Sequence, residues 1–103
     1  MIHVLAEIRT RPGHRDSFIA DLRALEPEVR AERGCIEYGG AVDVATGIAA
    51  QAPLRPDVVM VVEKWDDEAA LAAHLDAPHM HAHRARVKPF VEEVIIHVLR
   101  SSS

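Results

Sequence analysis

Cysteine is almost absent from this sequence, and so are long apolar segments. Cys35 is the only cysteine, so an internal disulfide bond is impossible and nothing argues for an oxidising compartment. No apolar run approaches the length that spans a membrane, and the N-terminal stretch carries Glu7, Arg9 and Arg11, unlike a secretory signal. We therefore predict a cytoplasmic protein that does not insert into membranes.

Features of several common ligand sites are also missing. The formal net charge is -4, with acids and bases scattered along the chain, which leaves no basic stripe for a nucleic acid. No glycine-rich loop follows a strand, so a bound nucleotide is not expected. Ser17 and the terminal serines lack the elbow motif of a serine triad. Nucleic-acid binding, nucleotide cofactors and serine hydrolysis are therefore disfavoured.

The composition indicates one globular domain. The chain has 103 residues, of which 49% are hydrophobic and 27% charged. A chain of this length buries only about two-thirds of its unfolded surface in a single modest core, which leaves no room for a second domain. We place the domain at residues 1–100 and predict a disordered tail at residues 101–103.

Hydrophobic periodicity predicts the elements of the first half. Ile2 to Arg9 alternates as a strand with one wholly apolar face, which we expect to lie under helices. Apolar residues at helical spacing predict a helix from His14 to Arg33, with Gly34 as its C-cap. Pro27 predicts a kink or break near residues 23–26. Cys35 to Asp43 is predicted as a strand with a bulge or a close backbone approach at its glycines.

The second half begins with a strand that leads directly into a helix. Val58 to Val62 is an unbroken β-branched run, typical of a strand buried on both faces. Asp66 and Asp67 then supply N-cap chemistry for a helix rich in Ala and Leu. Leu71 and Leu75 predict its buried stripe, with His74 on the flank of that stripe and directed toward the edge of the core.

The remaining elements are defined by prolines. Pro78 favours the start of a further short helix and Pro89 its end. Glu93 to Leu99 is predicted as a last strand, apolar on both faces. Ile48 to Ala52 is either a short edge strand or a loop, because Pro53 and a second proline nearby limit regular pairing.

This order of elements predicts a ferredoxin-like α+β fold. In this split βαβ pattern, an antiparallel sheet carries its helices on one face. Two helices leave the other face of the sheet uncovered, although the strands at residues 58–62 and 93–99 are apolar on both faces. We therefore predict a homodimer that pairs sheet against sheet.

Three histidines alternate in the predicted short helix after Pro78. His79 and His83 have the i, i+4 spacing that can grip a metal ion from a helix. A metal site needs at least a third ligand, and a helical register turns His81 away from the other two. The favoured interpretation is therefore three solvated histidines and no metal site.

His74 and Trp65 are the better candidates for a functional site. Both are placed to line an apolar pocket between the helices and the sheet, which is the usual form of a small-molecule site. The alternatives are that Trp65 is a core or interface aromatic and that His74 is a helix histidine bonded to a carbonyl. Glu63 shares the strand face of Trp65, and Tyr38 is the only tyrosine, so these two rank second.

Several short segments, spread from Met1 to about Leu99, share a known pattern. They read AEIRTRPG at residues 6–13, GC at 34–35, EKW at 63–65, HL at 74–75 and PHM at 78–80. In these segments the chain resembles the antibiotic biosynthesis monooxygenase (ABM) superfamily, and within it the small bacterial quinol monooxygenases. The resemblance implies a dimeric α+β barrel. It also implies an oxygenase without a bound cofactor, which oxidises a quinol or related electron-rich phenol with O2 as co-substrate.

The resemblance also suggests roles for individual residues. We hypothesise that His74 is the base or hydrogen-bond partner and that Trp65 is a wall of the pocket. Arg84 stabilises an anion if its helix turns it inward. The rest of the predicted substrate-binding set comprises Tyr38, Glu63, His79, Met80 and Ile8. The Asn, Trp and His set of haem-degrading relatives is not reproduced, because Ile8 stands at the Asn position.

Two other functions remain open at this point. One is a non-catalytic dimer that binds a small ligand, because a fold alone does not determine function. The other is an isomerase or signal-degrading enzyme that acts on a small oxygenated metabolite, as the resemblance also allows. Oxygen consumption with a panel of quinols separates the oxygenase from both alternatives.

Overall fold

The first strand, Ile2–Thr10, is paired along both edges and lies in the interior of the sheet. The computed structural model describes all 103 residues. In chain order the elements are β1 (Ile2–Thr10), α1 (Arg15–Arg30), β2 (Cys35–Ala41), β3 (Val58–Trp65), α2 (Glu68–Leu75), α3 (Pro78–Val87) and β4 (Val91–Arg100). The four strands form an antiparallel sheet in the order β2-β3-β1-β4. The predicted ferredoxin-like α+β fold is confirmed.

The core lies between the helices and one face of the sheet, hereafter the inner face. On β1 the inner face presents Val4, Ala6 and Ile8, which are buried as the alternation predicts. Helix α1 packs against it with four buried side chains at helical spacing: Phe18, Leu22, Leu25 and Val29. Burying a large apolar side chain contributes about 1.5–3 kcal/mol, so this interface is a main source of stability. The inner face of β3, which reaches Trp65, continues the core toward α2.

Helix α1 corrects two predictions about its C-terminal end. It ends at Arg30 with Ala31 as C-cap, so Gly34 is not the cap. The helix also runs through Pro27 without a break. Pro27 removes only the backbone bond to the carbonyl of Arg23, and both residues lie on the exposed side where water can hydrate that carbonyl. The apolar packing of the opposite side holds the helix together.

Strand β2 combines both irregularities that its glycines and its sequence suggested. The register shift that marks a bulge lies between Cys35 and Glu37, before the glycines. The close approach is at Gly40, where a Cβ atom would lie 2.6 Å from Cδ2 of Leu22. The glycine therefore lets α1 pack closely on this edge strand.

The segment between β2 and β3 is a loop without the optional extra strand. Residues 48–52 form no ladder, and the Gln51 side chain instead bonds the side chain of Thr46 and the carbonyl of Val44. Arg55 holds the loop to the sheet: its guanidinium binds both carboxylate oxygens of Asp43 at 2.9 Å and Oε1 of Glu7 at 2.8 Å. This fork-like pairing replaces strand pairing as the anchor of the loop.

Strand β4 lies at the sheet edge beyond the helices. It is apolar on both faces, as predicted, but its large side chains are exposed: Val94, Ile95, Ile96, Val98 and Leu99. No helix of the chain covers β4, so the prediction of burial is not met within one protomer. Residues 101–103 follow β4 without regular structure. None of the helices is long and apolar enough to cross a membrane.

Candidate active site

A cavity of about 310 Å³ lies between the inner face of the sheet and helices α1, α2 and α3. Its wall is formed by 17 residues, 12 of them hydrophobic. They are Ala6, Ile8, Phe18, Leu22, Tyr38, Val61, Glu63, His74, Leu75, Met80, His83, Arg84, Val87, Lys88, Val91, Val94 and Ile96. Such a largely apolar pocket with a few polar groups is the usual form of a small-molecule site.

His74 reaches this cavity from the last turn of α2. Asp67 is the N-cap of this helix, and its side chain accepts the N–H of Ala70 at 2.8 Å. The buried positions of α2 are Leu71 and His74, whereas Leu75 is 42% exposed at the cavity rim. The predicted stripe through Leu75 is therefore wrong, because His74 takes the inward position and Leu75 does not.

The imidazole of His74 is held on three sides. Its Nδ1 atom lies 2.9 Å from Oε2 of Glu32, and its ring is 4.5 Å from the Trp65 ring and 5.5 Å from the Tyr38 ring between centroids. Only 1% of His74 is exposed. The alternative of a helix histidine bonded to a carbonyl is therefore wrong, since its partner is a carboxylate from the turn after α1.

This environment favours a neutral His74 with a free nitrogen. Burial lowers the pKa of His74, and the hydrogen bond and charge of Glu32 oppose that shift only in part. In the neutral ring, Nδ1–H donates to Glu32, which leaves the lone pair on Nε2. Every fully buried side-chain N or O atom has a hydrogen-bond partner, and Nε2 has none, so Nε2 is accessible through the cavity.

Glu63 and Trp65 lie beneath His74 on β3. The Trp65 Nε1–H donates to Oε1 of Glu63 at 3.0 Å, and the same oxygen is 3.8 Å from Nε2 of His74. Burial raises the pKa of Glu63 to about 7, and the charge of Glu32 adds to it, although the bond from Trp65 lowers it. Trp65 is fully buried behind His74 and does not form part of the cavity wall. The structure thus places Trp65 as support for the wall, unlike the predicted position on it.

Tyr38 completes this end of the cavity. Its backbone is paired directly with Glu63 across β2 and β3, and its side chain is buried at the cavity wall. Burial and the neighbouring carboxylates of Glu63 and Glu32 raise the pKa of the phenol, so it stays protonated. The hydroxyl has no partner in the chain and can donate a hydrogen bond to a ligand.

The three histidines of α3 have three different environments. His79 Nε2 lies 2.7 Å from Oε2 of Glu32, the oxygen that also binds His74. His83 is buried, with Nδ1 2.6 Å from Oδ1 of Asp21. Only His81 is solvent-exposed, beside Asp76. The prediction of three solvated histidines is therefore wrong for His79 and His83, because each is drawn to a carboxylate. The structure contains no group of three or more His, Cys, Asp or Glu side chains placed to hold a metal ion.

The other predicted site residues fall at different depths. Ile8 and Met80 lie on the cavity wall, whereas His79 does not. Arg84 borders the cavity, but its guanidinium is at the surface, where it donates to the carbonyl of Leu75 at 2.7 Å. The predicted inward turn of Arg84 is therefore not observed. Stabilisation of an anion at the cavity rim is the role its position allows.

Sequence reasoning missed three polar residues of the site: Glu32, Asp21 and His83. A signal existed for His83, because Met80, His83 and Val87 have the spacing of one helix face and all three are buried. No comparable sequence pattern identifies Glu32 or Asp21 as residues of the site. Each is recognisable only when α1 and the turn after it are packed against α2 and α3.

Comparison with known proteins identifies the family. The model of the antibiotic biosynthesis monooxygenase family matches residues 1–86. YgiN of Escherichia coli K12, named a probable quinol monooxygenase, is 41% identical over 102 residues, 97% of each chain. This chain belongs to the antibiotic biosynthesis monooxygenase family. The predicted membership and the prediction of a monooxygenase-type enzyme are confirmed.

Solved structures support the fold of this monooxygenase family member. The crystal structure of PA3566 from Pseudomonas aeruginosa superposes with a TM-score of 0.81 at 26% identity, over 99% of this chain and 94% of that one. Rv0793 from Mycobacterium tuberculosis gives a TM-score of 0.81 at 25% identity, over 99% of this chain and 95% of that one. In both comparisons the match covers 99% of this chain and therefore includes β4.

Proposed function

We propose that this enzyme oxidises a quinol or related electron-rich phenol with O2 and needs no bound cofactor. The observation that carries the proposal is the setting of His74. A neutral imidazole, held by Glu32 through Nδ1, presents its free Nε2 to an apolar cavity. The name of YgiN supports the quinol class, because that relative is similar over 97% of this chain.

A quinol already holds the electrons that O2 needs. His74 Nε2 accepts one phenolic proton, and the resulting phenolate passes an electron to O2. The superoxide and the semiquinone then join through a new bond between a ring carbon and oxygen. When the O–O bond breaks, one oxygen remains on the ring and takes the proton released from the attacked ring carbon, which gives a hydroxyl. The other oxygen leaves as water with the two phenolic protons. Quinol and O2 thus give a hydroxyquinone and water, with all four electrons supplied by the ring.

The neighbouring groups support this chemistry in distinct ways. Glu32 fixes the tautomer of His74 and stabilises its imidazolium once the proton is taken up. The Tyr38 hydroxyl donates to the substrate oxygen that becomes negative. Trp65 and Glu63 hold the imidazole from beneath. The apolar wall keeps water away from the anion and the reactive oxygen species.

We also propose that the working form is a homodimer. The outer face of the sheet, defined here by Leu5, Met60, Val62, Ile95 and Leu99, carries large apolar side chains and no helix. A second copy would cover this face, including the outer side chains of β4. The cytoplasmic location remains a prediction.

The test is O2 uptake by purified, metal-stripped protein supplied with reduced menadione and corrected for autoxidation. We expect saturable uptake by the wild type that falls at least about 100-fold in His74→Ala, which lacks the base. His81→Ala is the matched control, because His81 lies outside the cavity and should leave the rate unchanged.

Each alternative has its own outcome. Uptake that survives in His74→Ala would show that another group is the base. Quenching of Trp65 fluorescence by the quinol without any uptake would support a ligand-binding protein. Conversion of the ligand without O2 consumption would support an isomerase.

A further inference from the structure

A second carboxylate and histidine pair lies on the same cavity. His83 is 5% exposed and forms part of the cavity wall, with Nδ1 2.6 Å from Oδ1 of Asp21. Arg86 binds the same carboxylate through Nε at 2.7 Å and Nη2 at 3.2 Å. Burial works against the charge of Asp21, but the hydrogen bonds from Arg86 and His83 prevail and lower its pKa. Asp21 is therefore a carboxylate that accepts the Nδ1–H of His83.

The other nitrogen of His83 is free. With Nδ1–H donated to Asp21, Nε2 is the ring nitrogen that can carry a lone pair, and it has no partner in the chain. Because no fully buried side-chain N or O atom is left without a partner, Nε2 of His83 is accessible through the cavity. The cavity thus has two imidazoles of the same design, His74 with Glu32 and His83 with Asp21.

The two pairs lie in different parts of the cavity. The His74 ring contacts Tyr38 and Trp65, whereas the His83 ring contacts Phe18 at 5.8 Å between centroids. His79 shares the Glu32 oxygen with His74, and His83 follows it by one helical turn, about 6 Å along α3. His74 and His83 therefore reach the cavity at two different positions.

We propose that His83 is a second catalytic base, which takes the hydroxyl at the far end of the substrate ring. The preferred substrate class is then an arene with two para hydroxyls, not a simple phenol. The inference rests on the proposed function and assigns one hydroxyl to each histidine. Asp21 acts on His83 as Glu32 acts on His74, by fixing the tautomer and stabilising the imidazolium.

The proton count agrees with this assignment. Removal of both phenolic protons leaves a dianion, with one proton on His74 and one on His83. The dianion supplies four electrons to O2, and one oxygen atom forms the new ring hydroxyl with the proton released from the attacked ring carbon. The other oxygen takes the two histidine-held protons and leaves as water, which returns both imidazoles to their neutral state.

The first test measures binding without turnover. Dissociation constants are determined under nitrogen for 1,4-dihydroxynaphthalene and for 1-naphthol, which lacks the second hydroxyl. The variant is His83→Asn, whose amide can still donate to Asp21 but leaves no atom at the position of Nε2. We expect the wild-type preference for the diol to fall about fivefold to tenfold, the effect of one lost hydrogen bond. His81→Asn, on the exposed side of the same helix, should keep the preference.

His83→Gln separates binding from proton transfer. Its amide reaches the position of Nε2, so the preference for the diol should return, while the rate of O2 uptake stays at least about tenfold below that of wild type because an amide is not a base. A preference that persists in His83→Asn, or a wild-type protein that binds neither compound, would overturn the proposal. Binding is measured without O2, so failure of the oxygenase proposal would appear separately as absent O2 uptake.

Discussion

At the scale of single residues, Glu63 couples the site to the stability of the fold. Burial raises its pKa from 4.5 to about 7. Between these values the unfolded chain loses the proton while the folded chain keeps it, so stability falls as the pH rises from about 4.5 to about 7. Below 4.5 both states are protonated and the cost is absent. Above 7 it is complete and amounts to about 3 kcal/mol.

Replacing Glu63 with Gln should remove this cost. The amide oxygen of Gln can still accept the Trp65 Nε1–H, but the side chain no longer ionises. We expect Glu63→Gln to exceed the wild type in free energy of unfolding by about 1–3 kcal/mol at pH 8 and to match it near pH 4.5. Urea unfolding at both pH values measures the difference. Glu37→Gln, an exposed carboxylate one strand away, is the control, and an equal gap at both pH values would refute the argument.

Some residues of the site could be predicted from the sequence, whereas the environments of others could not. His74 and Trp65 were found from a strand that runs into a helix, which is local information. The environments of His79 and His83 depend on Glu32 and Asp21, which lie 47 and 62 residues away along the chain. No local pattern carries such pairings, so histidines that are alike in sequence were predicted alike.

At the scale of elements, Gly34 controls how closely α2 approaches the turn before β2. Its backbone has φ of +84°, and a Cβ there would lie 2.6 Å from Cβ of Ala70 in α2. Gly13 has nearly the same φ, +81°, but nothing within 4 Å of its Cβ position. Substitutions at these two glycines therefore distinguish the cost of backbone strain from the cost of a steric clash.

We expect both Gly→Ala substitutions to destabilise the fold, but by different amounts. Gly13→Ala should cost about 1 kcal/mol, the strain of a left-handed residue. Gly34→Ala should cost about 2–4 kcal/mol, because α2 must also move away from the turn before β2 and His74 moves with it. Urea unfolding compares the two, and O2 uptake should fall further for Gly34→Ala. Equal losses of stability would mean that α2 can move away from the added methyl group without a loss of free energy of unfolding.

Helices and strands were harder to predict where water or side chains, and not backbone pairing, satisfy the backbone groups or anchor the segment. Pro27 predicts a kink or break in α1, but the helix continues through it, and the carbonyl left free by Pro27 belongs to an exposed residue that water can hydrate. Residues 48–52 are predicted to form either an edge strand or a loop, and the structure shows the loop, which Gln51 and Arg55 anchor through side-chain bonds. Strongly periodic segments such as β1 and the apolar side of α1 were predicted well, because burial on one face imposes the period.

At the scale of the whole molecule, the sequence predicts that β4 is buried, but a single chain does not bury it. The topology followed from the order of elements and is confirmed. The apolar faces of β4 predicted burial, yet in one protomer Ile95 is 39% and Leu99 46% exposed. A pattern of apolar residues reports that a surface is covered, but not whether the cover belongs to the same chain.

A charge on the outer face should therefore separate the proposed dimer. The wild type should sediment at twice the chain mass of 11.4 kDa at low micromolar concentration. Ile95→Lys places an unpaired ammonium where the second sheet would pack, and we expect the dimer dissociation constant to rise at least about 100-fold. Ala72→Lys, on the exposed side of α2, adds the same charge away from the outer face and should remain dimeric.

A wild-type monomer, or an Ile95→Lys dimer as tight as wild type, would mean that something other than a second sheet covers this face. If the copies also shield the open edge of the cavity, the monomeric variant should lose O2 uptake as well, because water would then reach the anion.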